Sequence, residues 1–147
     1  MMQSWFWDSS ALVKLYFEEL GSAQTRDWLT DKTHRHWITG ITRAEISSAI
    51  VRRLTPAVAR QYTAQLDSDV LDFHIVRTDD DLIARAVGLV RRHRLRGCDG
   101  LQLAAAMMLV PASTGCGMAD VCVFVSADDV LNTAAAAEGM QVRNPGG

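Results

Sequence analysis

The stretch Leu101-Gln102-Leu103-Ala104-Ala105-Ala106-Met107-Met108-Leu109-Val110 is almost entirely apolar. A helix apolar all round is normally buried, so the chain must close a core around this segment. Just before it runs a basic stretch, Arg91-Arg92-His93-Arg94-Leu95-Arg96, and Asp99 sits at the joint between the two. The helix macrodipole favours a negative charge at that end, so one buried helix presents a fixed carboxylate beside a cationic patch. Aspartate is equally a favoured N-cap residue. Asp99 taken alone therefore does not separate a cap from a chemical group.

A chain of 147 residues, 48% hydrophobic, fits a single domain over residues 1–147 with a proper core. The net charge of -2 hides an uneven distribution, because Lys14 and Lys32 are the only lysines beside many arginines. Cys98, Cys116 and Cys122 have no C-x-x-C spacing, which suggests neither a disulfide framework nor a zinc ribbon and fits a reducing cytoplasm. No run reaches the roughly 18 apolar residues of a membrane span. Asp8 interrupts the N-terminal apolar patch too early for a signal peptide. The expectation is a cytoplasmic protein with no membrane segment.

Along the chain, Ser4-Trp5-Phe6-Trp7 reads as a buried first strand ending at Asp8. From Ser9 a helical stripe of Ala11, Leu12, Leu15 and Tyr16 follows, stopping before Gly21 as at a glycine terminus. A second helix spans Ser22 to about Lys32, and Trp37-Ile38-Thr39 is a second strand. Thr42 opens a helix carrying Ile46, Ala49, Ile50 and Leu54, and Thr55-Pro56 starts another with proline in its first turn. Phe73 to Val76 is a third strand, and Asp79 caps an amphipathic helix with Leu82, Ala86, Leu89 and Val90. The Asp99 helix ends near Pro111, a Gly- and Ser-containing loop follows, and Val121 to Val125 is a β-branched strand. A last helix, Asp129 to Glu138, precedes a short Met140-Gln141-Val142 strand. This alternation implies a mostly parallel sheet covered on both faces.

In such sheets functional groups gather where strands end and helices begin. Asp8 and Asp128 lie at a strand's carboxyl end, and Glu45 a few residues past another. Each has a structural alternative: Asp8 caps the Ser9 helix, Thr42-x-x-Glu45 forms a capping box, and Asp128 or Asp129 caps the final helix. Caps do not explain why Asp8, Glu45, Asp99 and Asp128 crowd one sheet edge, where mutual repulsion raises their pKa values unless a cation is present. Convergent carboxylates suit Mg2+ or Mn2+, hard ions that take oxygen ligands.

Four segments carry a family resemblance: Trp7-Asp8-Ser9-Ser10-Ala11-Leu12-Val13-Lys14, Ile41-Thr42-Arg43-Ala44-Glu45-Ile46, Leu95-Arg96-Gly97-Cys98-Asp99-Gly100-Leu101-Gln102-Leu103-Ala104-Ala105-Ala106 and Phe124-Val125-Ser126-Ala127-Asp128. In order and spacing they resemble the acidic motifs of PIN-domain ribonucleases, and among these the VapC-type toxins of toxin–antitoxin modules. The resemblance implies a three-layer α/β/α PIN-like domain around a mostly parallel sheet of about five strands. It also implies an Mg2+-dependent endoribonuclease, with Mn2+ as a substitute, inhibited by a VapB-type antitoxin and often a homodimer. Asp8, Glu45, Asp99 and Asp128 take the acidic roles as catalytic and metal-binding residues, with Ser126 in the place of the family's Thr or Ser. Ser9 and Arg96 stand near enough in sequence to touch substrate or support the acids. Gly100 departs from the family's common alanine, and Asp129 beside Asp128 leaves the fourth acid open between the two.

The chemistry this implies is hydrolysis of an RNA phosphodiester by a metal-activated water, with no serine or histidine nucleophile. His34-x-His36 lacks a third zinc ligand and reads as surface, while Trp5 and Trp7 read as core strand residues. The basic run, with Arg43, Arg52 and Arg53, either holds phosphates or merely complements helix ends. Two rivals remain. A phosphoryl-aspartate protein would want a downstream lysine, and none follows Lys32; a non-catalytic PIN-like module would bind RNA or protein without cutting, although no acid is missing.

Overall fold

The computed structural model describes residues 2–110 and 122–147. Strand β1 (Ser4–Trp7) is central in a sheet of order β3-β2-β1-β4-β5, where β2 is Arg35–Thr39, β3 His74–Val76, β4 Cys122–Val125 and β5 Gln141–Arg143. Every pairing is parallel, as it must be where helices return the chain to the same sheet edge. Phe6 lies opposite Trp37 on one side and Phe124 on the other. All four β4 residues are buried, the mark of a strand covered on both faces.

The period-two alternation of the strands sorts their side chains into two cores. On one face Phe6, Val76, Cys122 and Phe124 pack against Leu82, Ala86 and Leu89 of α5 (Asp80–His93), Leu103 to Ala106 of α6 (Gly97–Met107) and Leu131, Ala134 and Ala135 of α7 (Asp129–Ala137). On the other, Trp7, Ile38, Val123 and Val125 pack against Ala11 and Leu12 of α1 (Ser9–Leu12), Ile46 and Ile50 of α3 (Gly40–Arg53), and Ala59 and Leu66 of α4 (Pro56–Asp69). The result is the three-layer α/β/α architecture expected from the sequence. Of the apolar stretch, Leu103–Ala106 is fully buried, but the helix ends at Met107 rather than near Pro111, and Met108 and Val110 are exposed.

Several boundaries differ from the sequence reading. The stripe after Ser9 is helical only to Leu12, followed by one turn of 3-10 helix, Val13–Leu15. The chain then folds back: the Lys14 ammonium donates to the Leu20 carbonyl at 2.7 Å and Ser22 Oγ donates to the Phe17 carbonyl at 3.0 Å. Gly21 is not a terminus for that helix; with φ 95° it caps the start of α2 (Ser22–Thr30). A Cβ there would lie 2.8 Å from the Pro145 carbonyl carbon, so glycine also admits the C-terminal segment. Helix α3 begins at Gly40 with Thr39 as N-cap, so Thr42 does not open it. Val121, Cys116 and the Gly- and Ser-containing loop after Val110 lie outside the described residues.

Gly100 accounts for its own departure from alanine. Helices α5 and α6 pack so closely that a Cβ at Gly100 would stand 2.4 Å from Val90 Cγ2 and 3.2 Å from the Ala86 carbonyl oxygen.

Candidate active site

From β1 the chain runs outward through β2 and β3, then crosses back to add β4 and β5 on the opposite side. This reversal opens a crevice at the carboxyl ends of β1 and β4, where parallel α/β sheets bind ligands. The Asp8 amide donates to the Val125 carbonyl at 2.9 Å, which sets Asp8 beside the Ser126–Asp128 segment.

Asp8 is both a cap and a member of this crevice. Its Oδ2 accepts from the Ser10 amide at 3.3 Å, the Ser10 hydroxyl at 2.6 Å and the Ser126 hydroxyl at 3.2 Å. Burial pushes its carboxyl up to about 6; the two Ser10 bonds oppose the rise, and the charges of Asp99 and Glu45 add to it. Repulsion among the acids is thus present but secondary to desolvation. The Ser126 hydroxyl also accepts from the Asp128 amide at 3.1 Å. Asp128 caps α7 through Leu131 N at 3.0 Å, whereas its neighbour Asp129 is exposed in the first helical turn. Of the two, Asp128 is the half-buried one and the one that Arg96 reaches.

Glu45 does not form the capping box that Thr42-x-x-Glu45 suggests. Its Oε1 accepts from Ser9 Oγ at 2.8 Å and from Gln102 Nε2 at 3.3 Å. Gln102 is fully buried and joins the elements around the site. Its amide NH2 also faces Ser9 Oγ at 3.1 Å and Thr42 Oγ1 at 3.0 Å, while its Oε1 accepts from Thr39 Oγ1 at 2.9 Å. Sequence reasoning passed over Gln102, Ser10 and Thr39. One signal was available, since a lone amide inside an apolar helix needs buried partners.

Asp99 is not the N-cap of α6, which is Arg96. It lies in the first turn, where the macrodipole favours its charge. Arg96 reaches over both remaining acids, with Nε 3.0 Å from Asp99 Oδ2 and a terminal nitrogen 3.5 Å from Asp128 Oδ2. The bonds fall into two groups: Asp8, Ser10, Ser126 and Asp128, with Arg96 joining Asp128 to Asp99, and Glu45 with Ser9, Gln102, Thr39 and Thr42. The charges of Asp99 and Glu45 both act on Asp8.

Other candidates fall elsewhere. His36 is buried, not surface: its Nδ1 accepts from Trp7 Nε1 at 3.0 Å, leaving Nε2 to donate to the Asp31 carbonyl at 2.9 Å. Burial lowers its pKa and keeps it neutral. Arg43 pairs with Asp67 at 2.7 Å, and Arg53 lies over the Phe17 ring in the last turn of α3. Arg92 and His93 bind Glu138, tying α5 to the end of α7. Of the basic run, Arg96 is the member that reaches the acids. The Cys98 thiol is pushed up by partial burial and by Glu45 and Asp99.

A depression of about 550 Å3, lined by Tyr16, Arg26, His36, Tyr62, Asp69 and Phe73, contains none of the four acids. A smaller open one of about 180 Å3 lies against Ser9, Ser10 and Glu45, and an accessible ledge of this kind suits a polymeric substrate better than an enclosed pocket. Among the described residues, no three acidic, imidazole or thiol groups stand close enough together to hold a metal ion as the side chains lie. The acids and the Ser9, Ser10 and Ser126 hydroxyls nonetheless offer oxygen donors, the chemistry of a hard divalent ion. Among the described residues no helix is long and apolar enough to cross a membrane.

Known proteins resemble this chain in sequence and in fold. The family model of the PIN domain matches residues 6–135. The chain is 33% identical over 143 residues to Ribonuclease VapC35 of Mycobacterium tuberculosis, covering 95% of each chain. Its fold is similar to that of FitAcB from Neisseria gonorrhoeae, with TM-score 0.69 and 16% identity, covering 96% of this chain and 97% of that one. A toxin–antitoxin complex from Klebsiella pneumoniae gives TM-score 0.66 and 18% identity over 95% of this chain and 96% of that one.

Proposed function

The chain belongs to the PIN-domain family, and from that premise we propose that it is a divalent-metal-dependent endoribonuclease, the toxin of a VapBC-like toxin–antitoxin pair. The observation that carries this reading is the buried Asp8 at the switch point of the sheet, which feels the charges of Asp99 and Glu45, together with the one arginine that bridges Asp99 and Asp128. The resemblance to a named VapC ribonuclease over 95% of the chain supports the toxin assignment.

Asp8, Asp99 and Asp128 would hold Mg2+ or Mn2+, with Glu45 binding the ion or orienting the attacking water. When bound, the ion supplies a water of lowered pKa and offsets charge on the attacking and leaving oxygens of an in-line displacement. Asp8 suits the role because burial makes its charge costly without a cation: above its pKa of about 6 it is an ionised group in want of a counter-ion. The Ser9 and Gln102 bonds hold one oxygen of Glu45 and leave the other for a proton or a ligand. Ser126, between Asp8 and Asp128, keeps those two strand ends in register.

Partners follow from the same reading: an RNA substrate, a VapB-type antitoxin and a second copy of the chain. Ile83 and Val87 stand exposed beside Val90 and Leu101, apolar surface of the sort that assembly covers.

Incubation of the purified protein with cellular RNA in Mg2+, and again with chelator, tests the activity. Cleavage should require the ion and vanish in a folded Asp99→Asn variant; cleavage that survives chelation, or that proceeds at the wild-type rate in that variant, overturns the assignment. Expression without an antitoxin should arrest growth, and normal growth of cells holding active, soluble protein would remove the toxin role.

A further inference from the structure

Arg96 occupies a position that its helix does not favour. It is the N-cap of α6 and makes no capping bond with its side chain, although Ser, Thr, Asn and Asp are the residues suited to that place. A cation there also opposes the macrodipole. What holds the guanidinium is the pair of carboxylates, Asp99 Oδ2 at 3.0 Å and Asp128 Oδ2 at 3.5 Å, with the charge of Glu45 adding to the pull. The Arg96 side chain is 81% exposed, against 17% for Asp99 and 24% for Asp128. The acids are fixed in the crevice and the arginine lies over them from solvent.

We propose that Arg96 is a built-in counter-cation that competes with a divalent ion for Asp99 and Asp128 and, once displaced, binds the RNA phosphate. This rests on the metal-dependent nuclease reading above. The oxygens that Arg96 engages belong to two of the residues assigned to the ion, so both cations cannot be fully bound at once. Exposed ion pairs are weak, and a divalent ion that keeps several waters needs few protein ligands to take over the site. The freed guanidinium is planar, permanently charged and suited to bidentate contact with a phosphate. It starts beside the acids, so little movement brings it to a phosphodiester lying over them. Entry of the ion thus converts Arg96 from a partner of the acids into a partner of the substrate.

The test is calorimetric titration of the full chain with Mn2+ alone, comparing wild type, Arg96→Ala and Arg96→Lys, with Asp99→Asn as the control that weakens the site. An exposed residue should be replaceable without unfolding, and a circular-dichroism melt of each variant checks this. Arg96→Ala should bind Mn2+ up to about fivefold more tightly than wild type, the ceiling set by loss of an exposed ion pair. Arg96→Lys should fall between, since an ammonium keeps the charge but does not bridge two carboxylates as a guanidinium does. Binding of a nuclease-resistant RNA analogue is then measured with Mn2+ and with chelator. Arg96→Ala should weaken RNA binding and lower its salt slope by about one when Mn2+ is present, with little effect in chelator. Equal Mn2+ affinities in wild type and Arg96→Ala overturn the competition and leave the metal reading standing. If neither protein binds Mn2+, both fall. An Arg96 contribution to RNA binding that is the same with and without Mn2+ refutes the transfer to phosphate.

Discussion

Asp8→Asn should make the protein more stable at neutral pH and equally stable in acid. Asp8 is only 4% exposed, and burial raises its carboxyl from 3.8 to about 6. At about 1.36 kcal/mol for each tenfold change in proton affinity, that rise corresponds to about 3 kcal/mol. The folded chain keeps the Asp8 proton over the window from about pH 4 to about 6, where the unfolded chain has lost it. Stability is therefore fully present below about pH 4 and is lost as the pH climbs through about 6. Asparagine has no proton to lose, can still accept from Ser10 and Ser126, and caps α1 as well as aspartate does. The difference between the proteins isolates this one group, because every other titration is common to both. Urea unfolding in chelator, followed by fluorescence of the 4 tryptophans, should show the Asp8→Asn variant about 3 kcal/mol more stable near pH 7. The gap should close to zero near pH 4, with a melting-point difference near neutrality of about 10 °C or somewhat less. A stability difference that does not change with pH would refute the argument that desolvation of Asp8 costs the fold stability.

Other substitutions test the remaining parts of the site and fold. Asp128→Asn should abolish RNA cleavage while Asp129→Asn leaves the rate within about twofold, since Asp128 alone of the two meets Arg96; equal losses would contradict that geometry. Gly100→Ala should lower stability by about 1–3 kcal/mol in a thermal melt because its Cβ meets Val90 Cγ2, and pairing it with Val90→Ala should recover most of the loss. Gln102→Leu should cost about 1–3 kcal/mol by leaving buried Thr39 and Thr42 hydroxyls short of partners. It should also reduce kcat more than RNA affinity, because it frees Glu45; a variant with normal stability and kcat would show that the amide supports neither.

The strands and most helices were legible because their signals are local. Period-two and period-3.6 burial patterns require only neighbouring residues, and Asp8, Asp79 and Asp128 announce helix starts by short-range capping. The same local rules misread Thr42-x-x-Glu45. Its capping-box spacing is satisfied, yet Glu45 bonds to Ser9 and Gln102, residues 36 and 57 positions away. His36 was misplaced at the surface for a similar reason, because the Trp7 donor that satisfies it lies on a different strand.

The residues by themselves determine an alternating α/β chain whose carboxylates fall at strand ends and helix starts, since backbone geometry converts spacing directly into position. The tertiary structure decides how each acid behaves: Asp8 desolvated, Glu45 tied to a buried amide, Asp99 and Asp128 shared by one arginine. Burial and charge pairing depend on atoms that meet only when distant segments pack, so no local pattern in the sequence encodes them.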